Sequence, residues 1–264
     1  MNLFRRLFSA ADRAPLAAVP PGQRVYAVGD VHGCRALFGA LVAAIETDDA
    51  ARAPADTVII LLGDLIDRGP DSAGVVAASR ALQARRAVRI LKGNHEEMLL
   101  ESLTSRDVLR EFLRYGGRET VLSYGIDPAA YHAAALDDVQ ALIDTHIPRE
   151  DLDFIAAFED SLTIGDYHFV HAGVRPGVPL DQQSVSDQHW IRGTFLAQDD
   201  GFGAVVVHGH TIFAKPEIKA GRIGIDTGAY TTGCLTALGL QGTERWLIEA
   251  RDNDGAITTA QRSI

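Results

Sequence analysis

Three short apolar segments of this sequence each end in a glycine followed by side chains that can bind a metal ion. Asp30 and His32 follow the first segment, Asp64 follows the second and Asn94 follows the third. Oxygen and imidazole donors with no thiolate among them suit a divalent ion such as manganese, iron or zinc. One such pair alone would be an ordinary polar turn, but the repetition after three segments predicts a metal site.

The elements that must carry these side chains are predicted to be parallel strands. Residues 58–62 form a continuous, largely β-branched apolar run, which is typical of a strand buried on both faces. Residues 24–28 and 89–91 form similar runs, and helical apolar spacing over 36–46 and 72–85 separates the three. This βαβαβ order predicts right-handed crossovers between parallel strands, with ligands at their carboxyl ends.

The three blocks resemble the signature blocks of the calcineurin-like metallophosphoesterases. They are Gly29-Asp30-Val31-His32-Gly33, Gly63-Asp64-Leu65-Ile66-Asp67-Arg68-Gly69 and Gly93-Asn94-His95-Glu96. Two later blocks, Val170-His171-Ala172-Gly173 and Val207-His208-Gly209-His210-Thr211, resemble that family's last two metal-histidine blocks. Trp190-Ile191-Arg192 resembles the stretch that carries its second phosphate-binding arginine. The Asp67-Arg68-Gly69 ending is similar to the phosphoprotein phosphatase branch, particularly the bacterial and phage serine/threonine phosphatases.

The resemblance implies two divalent metal ions that share one carboxylate. The implied metal ligands are Asp30, His32, Asp64, Asn94, His171 and His210. Asp64, on the middle strand, is the implied bridge. We expect manganese, with iron or zinc as alternatives, and a water shared by the two ions that attacks phosphorus in line.

The remaining chemistry is assigned to residues of the same blocks. His95 is expected to donate a proton to the departing oxygen, because imidazole suits that work near neutral pH. Asp67 is expected to hold His95 and to raise its pKa by carboxylate pairing. Arg68 and Arg192 offer planar, permanently charged groups for the phosphate oxygens, and Asn94 adds a neutral contact.

These roles predict a phosphomonoesterase, most simply a serine/threonine protein phosphatase that also accepts tyrosine phosphate. The alternative is a symmetrical dinucleoside polyphosphate hydrolase on the same scaffold. Gly116-Gly117, with Tyr124-Gly125 downstream, resembles the diadenosine-tetraphosphate hydrolase branch of the family. Asp67 favours the phosphatase, because an acid–base partner for His95 matters most when the leaving group is a poor alkoxide. A non-catalytic binding protein would be expected to have lost a ligand or the general acid, and none is missing.

The whole pattern predicts an α/β fold, a four-layer α/β/β/α sandwich with a helical insertion. Residues 97–160 are the predicted insertion beside the site, with one long helix over 96–112. Short strands between residues 161 and 240 predict a second, mixed sheet packed on the first. A last strand is predicted over 245–249. We expect a flexible leader over 1–21 and one metallophosphoesterase domain over 22–264.

Length, composition and charge limit the domain organisation and the kinds of partner that we expect. A length of 264 residues, 47% of them hydrophobic, suits one large α/β domain. The formal charge of −10 argues against duplex nucleic acid, whose binding needs a basic face. The leader lacks a long apolar core, so we predict neither export nor a membrane anchor but a cytoplasmic protein. The expected partner is a phosphorylated protein or a small phosphoester, and the oligomeric state is open.

Overall fold

The computed structural model of the protein describes residues 16–264. The predicted leader therefore falls largely outside the described residues. Within its described part, Val19 is buried and its backbone N–H donates a hydrogen bond to the Gly242 carbonyl oxygen at 2.9 Å. No helix in the described chain is long and apolar enough to cross a membrane.

Eleven strands and eleven α-helices make up the described chain. The strands are β1 (Gln23–Val28), β2 (Asp56–Leu61), β3 (Val88–Ile90), β4 (Ser161–Ile164), β5 (Tyr167–Val170), β6 (Val205–His208), β7 (Glu217–Ile218), β8 (Arg222–Gly224), β9 (Cys234–Gln241), β10 (Glu244–Asn253) and β11 (Ala256–Ser263). The helices are α1 (Arg35–Ala51), α2 (Ser72–Gln83), α3 (Asn94–Ser102), α4 (Arg106–Phe112), α5 (Arg118–Ser123), α6 (Pro128–Ala133), α7 (Leu136–His146), α8 (Arg149–Ala156), α9 (Val185–Trp190), α10 (Gly193–Leu196) and α11 (Ala229–Thr232). A π-helical turn, Leu113–Gly117, joins α4 to α5, and a 3₁₀ turn spans Leu180–Gln182.

The first sheet brings the three motif-bearing strands side by side. Its spatial order is β11-β10-β9-β1-β2-β3, and β1, β2 and β3 are parallel. Val28 lies opposite Leu61, which in turn lies opposite Ile90. The residues after each strand therefore meet at one edge of the sheet, and the predicted βαβαβ order is confirmed.

The second sheet has the order β4-β5-β6-β8-β7 and is mixed, because β5, β6 and β8 run parallel while β4 and β7 are antiparallel to their neighbours. One apolar cluster lies between the sheets and includes Ile60 and Leu238 from the first and Phe169 and Val207 from the second. Separate clusters cover the outer faces, one under α1 and α2 and one under α9 and α10. The four-layer α/β/β/α sandwich is confirmed.

One strand lies in a different sheet from the one expected. Residues 235–240 were predicted within the second sheet, but β9 pairs antiparallel with β1 and so extends the first. β9 is apolar on both faces, with Leu235 packing outward and Leu238 between the sheets, so its pattern does not distinguish the two positions. The predicted last strand extends over β10 and is followed by β11, whose exposed Thr-rich sequence lacks apolar alternation.

The long helix predicted over 96–112 is interrupted. α3 ends at Ser102, and α4 begins after Ser105, whose hydroxyl accepts a hydrogen bond from the Val108 N–H at 3.4 Å. A serine at this position competes with the helix for backbone hydrogen bonds and favours a new N-terminus. The predicted insertion over 97–160 contains most of α3 and the helices α4 to α8, with α8 packed on α3 and α7 on α4.

Candidate metal and phosphate site

The site lies where β1, β2 and β3 end, and one buried glutamate ties two of its loops together. The Glu96 carboxylate accepts hydrogen bonds from the backbone N–H groups of Asp64 at 2.9 Å, Leu65 at 2.7 Å and Gly93 at 2.8 Å. Gly63, with φ of +100°, allows these loops to approach, since a Cβ there would lie 2.6 Å from the Gly93 nitrogen. The positions of the second and third blocks are therefore fixed relative to each other.

Strained backbone is concentrated in this site. Six residues other than glycine have positive φ within residues 16–264. Five of them belong to the site blocks: His32, Asp64, Asp67, Arg68 and His210. Each such residue costs on the order of 1–3 kcal/mol, and clusters of them are typical of functional sites.

Two groups of buried side chains could each hold a metal ion, and both contain Asp64. His32, Asp64 and His95 form one group, and Asp64, His171 and His210 form the other, with ligand atoms within 4.8 Å of one another in each. Asp64 Oδ2 lies 3.6 Å from His32 Nε2 and 3.4 Å from His171 Nε2. One carboxylate thus faces imidazoles on two sides, as a bridging ligand requires.

Two of these imidazoles are held in the orientation of a metal ligand. The His32 Nδ1–H donates to the Ile66 carbonyl oxygen at 2.8 Å, and the His171 Nδ1–H donates to that of Leu62 at 2.9 Å. Each ring therefore turns Nε2 toward Asp64, where a bound metal ion would use the lone pair of that nitrogen. Asn94 Oδ1 lies 3.1 Å from His171 Nε2 and adds an oxygen to the second group.

Asp30 is buried beside these groups and outside both of them. Its carboxylate accepts a hydrogen bond from the His210 backbone N–H, at 3.0 Å to Oδ2 and 3.2 Å to Oδ1. Burial and the nearby Asp226 carboxylate raise its pKa well above the usual value. A cation next to Asp30 would offset this repulsion, so the carboxylate fits the predicted role of a ligand.

The protonation states also fit a metal site. Burial lowers the pKa of His32 to about 3 and that of His210 to about 2, so both rings are neutral, as metal binding requires. Burial also disfavours the charged form of His171, but the Asp64 carboxylate outweighs it and raises its pKa to about 10. A metal ion at Asp64 would displace that proton. Carboxylate oxygens, neutral imidazoles and an amide oxygen are suitable donors for a hard or borderline divalent ion.

His95 and Asp67 form a buried pair. The His95 Nδ1–H donates to Asp67 Oδ2 at 2.6 Å, while His95 Nε2 has no hydrogen-bond partner in the described chain and lies 3.9 Å from Asp64 Oδ2. Burial lowers the pKa of His95, but the carboxylates of Asp64 and Asp67 outweigh it and raise the pKa above its usual value. The Thr120 hydroxyl donates to Asp67 Oδ1 at 2.6 Å and fixes the carboxylate.

Each of the two predicted arginines contacts a histidine of a different group. Arg68 Nη1 donates to His32 Nε2 at 2.9 Å, and Arg192 Nε donates to His210 Nε2 at 2.8 Å. Every residue predicted for the site is therefore brought into one cluster around Asp64. Two guanidinium groups at its margins provide local positive charge in an acidic protein.

Four contributors were missed in the sequence. Thr120 supports Asp67, and Glu97 accepts a hydrogen bond from the Trp190 indole N–H at 2.9 Å. Tyr230 lies with its ring 5.0 Å from the Arg68 guanidinium carbon. Asp226 is a further buried carboxylate that follows β8. Only Asp226 had a usable signal, because it follows an apolar strand as Asp30 and Asp64 do.

The two-sheet sandwich and the donor set at its edge are those of a metal-dependent phosphoesterase. The family model for calcineurin-like phosphoesterases matches residues 23–222, and the chain belongs to this family. Its members depend on two metal ions, and the two side-chain groups around Asp64 could hold them.

Relatives of this chain carry two kinds of name. An asymmetrical bis(5′-nucleosyl)-tetraphosphatase of Bacillus velezensis is 26% identical over 79% of this chain and 86% of its own length. Serine/threonine-protein phosphatase 1 of Salmonella typhimurium is 35% identical over 31% of this chain and 34% of its own. A solved structure of a putative diadenosine tetraphosphatase shares the fold, with a TM-score of 0.56 at 21% identity, over 94% of this chain and 98% of that one.

Proposed function

We propose that this protein is a protein phosphatase that hydrolyses serine and threonine phosphomonoesters and also accepts tyrosine phosphate. The observation that carries this proposal is the buried His95–Asp67 pair, with His95 Nε2 left without a hydrogen-bond partner among residues 16–264. A serine or threonine leaves as a poor alkoxide and needs a proton in the transition state, which a positioned imidazole can supply.

The metal ligands are proposed to be Asp30, His32, Asp64, Asn94, His171 and His210. Asp64 would bridge the two ions, and we propose manganese as the metal. When bound, such ions lower the pKa of a coordinated water and polarise the phosphoryl oxygens.

The protein's own side chains would bind the phosphate and move the proton. Arg68 and Arg192 hold the phosphate oxygens from two sides through permanently charged donors. Asp67 keeps the His95 ring in the tautomer that carries its proton on Nδ1, and it stabilises the imidazolium. The protonated ring then places the Nε2 proton toward the oxygen that leaves. Thr120 anchors Asp67 and so limits the movement of the pair.

A dinucleoside polyphosphate hydrolase is the second candidate. The observation that favours it is the match to the tetraphosphatase of Bacillus velezensis, which spans far more of this chain than the match to the Salmonella phosphatase. A phosphate leaving group needs little protonation, so this candidate leaves the His95–Asp67 pair without a demanding task. The cleavage products of diadenosine tetraphosphate would separate symmetrical cleavage, which gives two ADP, from asymmetrical cleavage, which gives AMP and ATP.

One assay separates the candidates. Manganese-loaded protein is offered a phosphoserine peptide, a phosphotyrosine peptide and diadenosine tetraphosphate, and kcat/KM is measured for each. We expect the phosphoserine peptide to have the highest value and chelation to abolish all three activities. A kcat/KM for diadenosine tetraphosphate far above both peptides would overturn the proposal in favour of the second candidate.

A further inference from the structure

A groove of about 780 Å³ opens beside the candidate site. Arg68 and Tyr230 form its inner end, and it runs between the start of α1 and the part of the β10–β11 hairpin that contains Asp252 and Ile257. The side chains that define its walls are those of Cys34, Arg35, Ala36, Asp71, Asp252 and Ile257. Its size falls within the range of sites that hold a ligand of several hundred daltons.

The inner end of the groove adjoins the candidate metal and phosphate site. At its inner end the Tyr230 ring lies 5.1 Å from the His32 ring and 5.0 Å from the Arg68 guanidinium carbon. A phosphate held by Arg68 would therefore sit at the inner end of the groove. The rest of a large substrate could extend into it, whereas a single phosphorylated amino acid would leave most of it empty.

The outer wall of the groove has an unbalanced negative charge. Arg35 Nη1 and Asp71 Oδ2 are 3.4 Å apart and largely compensate each other. Asp252 forms no ion pair with a basic side chain within residues 16–264, and its Oδ1 accepts a hydrogen bond from the Gly255 N–H at 2.7 Å. Burial raises the pKa of the Cys34 thiol to about 11, so this part of the wall is neutral.

We propose that this groove binds the peptide segment next to the phosphorylated residue and that Asp252 pairs with a basic side chain in that segment. The inference rests on the proposed protein phosphatase activity and narrows its substrates to phosphopeptides with a nearby arginine or lysine. The phosphate is bound at Arg68, the backbone and apolar side chains lie along Ala36 and Ile257, and the basic side chain reaches Asp252.

Two pairs of variants test the groove. Ala36→Trp narrows it, and Ala50→Trp places the same ring at another exposed position of α1 that does not line it. Asp252→Asn removes the charge while keeping an oxygen for the Gly255 N–H. Asp254→Asn removes an equal charge from the tip of the same hairpin, at a position that does not line the groove and at a φ of +54° that asparagine tolerates.

The measurements are kcat/KM and direct binding. Substrates are an arginine-flanked phosphoserine peptide, a glutamate-flanked one, p-nitrophenyl phosphate and diadenosine tetraphosphate. Binding of a fluorescent, non-hydrolysable phosphonate form of the arginine-flanked peptide is followed by anisotropy. We expect Ala36→Trp to weaken peptide binding about tenfold, and Asp252→Asn to lower kcat/KM about two- to fivefold for the arginine-flanked peptide alone. The two control variants should match the wild type on all four substrates.

Measuring peptide binding and peptide hydrolysis separately tests the groove assignment independently of the proposed phosphatase activity. If the wild type binds the phosphonate peptide through the groove but hydrolyses only diadenosine tetraphosphate, the phosphatase proposal fails and the groove assignment stands. If the peptide does not bind, if Ala36→Trp binds it as the wild type does, or if Asp252→Asn affects both peptides equally, the groove assignment is wrong. Groove variants that slow only diadenosine tetraphosphate would show that the groove takes a nucleoside, which also overturns it.

Discussion

Replacing His95 by asparagine tests whether this residue protonates the leaving group. The substitution removes the imidazole but keeps the backbone N–H that donates to Asp64 Oδ1 at 3.1 Å, so the proposed bridging ligand keeps that contact. Because His95 Nε2 forms no hydrogen bond in the described chain, no protein acceptor competes with a leaving group for its proton. A general acid contributes about 10²- to 10⁴-fold. We expect a loss of that size in kcat for a phosphoserine peptide.

The size of the loss should depend on the leaving group. Phosphoserine leaves as a high-pKa alkoxide, whereas p-nitrophenyl phosphate leaves as a stabilised phenolate that hardly needs a proton. His95→Asn should therefore slow p-nitrophenyl phosphate hydrolysis much less than phosphoserine hydrolysis. The assay compares kcat on the two substrates at saturating manganese, with bound metal measured in each preparation.

Variants of Asp67 and Thr120, which support His95, should also slow phosphoserine hydrolysis more than p-nitrophenyl phosphate hydrolysis, but by smaller factors. Asp67→Asn leaves the imidazole less basic and less well oriented. Thr120→Val removes the hydrogen bond to Asp67 Oδ1, and a bond of this kind to a charged group contributes about 1.5–3 kcal/mol. Equal losses on the two substrates for His95→Asn, with metals intact, would refute the general-acid role and leave His95 as an electrostatic or positioning residue.

Three further outcomes are expected. Gly116→Ala should raise KM about tenfold with metal affinity unchanged, because the new Cβ would lie 2.6 Å from Arg68 Cγ and displace the proposed phosphate-binding side chain. Gly125→Ala, also at positive φ but with no atom within 4 Å of the new Cβ, is its control for backbone strain. Asp64→Asn should weaken the binding of both metal ions together, as measured by titration calorimetry and metal analysis. Asp49→Asn should lower the free energy of unfolding by about 2 kcal/mol at pH 7, with less effect at low pH, as measured by urea denaturation.

The pH dependence at Asp49 follows from the direction of its pKa shift. Burial raises the pKa of this carboxyl, but hydrogen bonds from Thr57, Arg86 and Arg24 outweigh it and lower the pKa in the folded state. A lowered folded pKa stabilises the protein above the unfolded value of about 3.9, and this stabilisation is lost as the pH falls through the folded pKa. A difference in the free energy of unfolding between wild type and Asp49→Asn that stayed constant from pH 7 to pH 2 would contradict this account.

For Asp64→Asn, two metal ions bound with native affinity would contradict the proposal that Asp64 bridges them.

The three motif strands and the residues at their ends were predictable because short-range pattern determines both. An apolar run ending in Gly-Asp specifies a buried strand and the position of its first polar side chain, as at Asp64. The sheet to which β9 belongs was not predictable, because a strand that is apolar on both faces fits either sheet. Thr120 was not predictable either, because its role depends on a contact to Asp67 across 53 residues of sequence.

The predicted helical insertion contributes to the geometry of the site. Gly116, in the π-helical turn, accepts a hydrogen bond from the Arg68 backbone N–H at 3.0 Å, and Thr120, one turn later, holds Asp67. Asp67 and Arg68 both have left-handed backbone, with φ of 72° and 68°, a conformation that persists only where neighbours impose it. The insertion therefore supplies the contacts that keep the proposed proton-relay carboxylate and the proposed phosphate-binding arginine in place. Changes in this segment should alter catalysis and substrate affinity even where they touch neither metal ligand nor substrate.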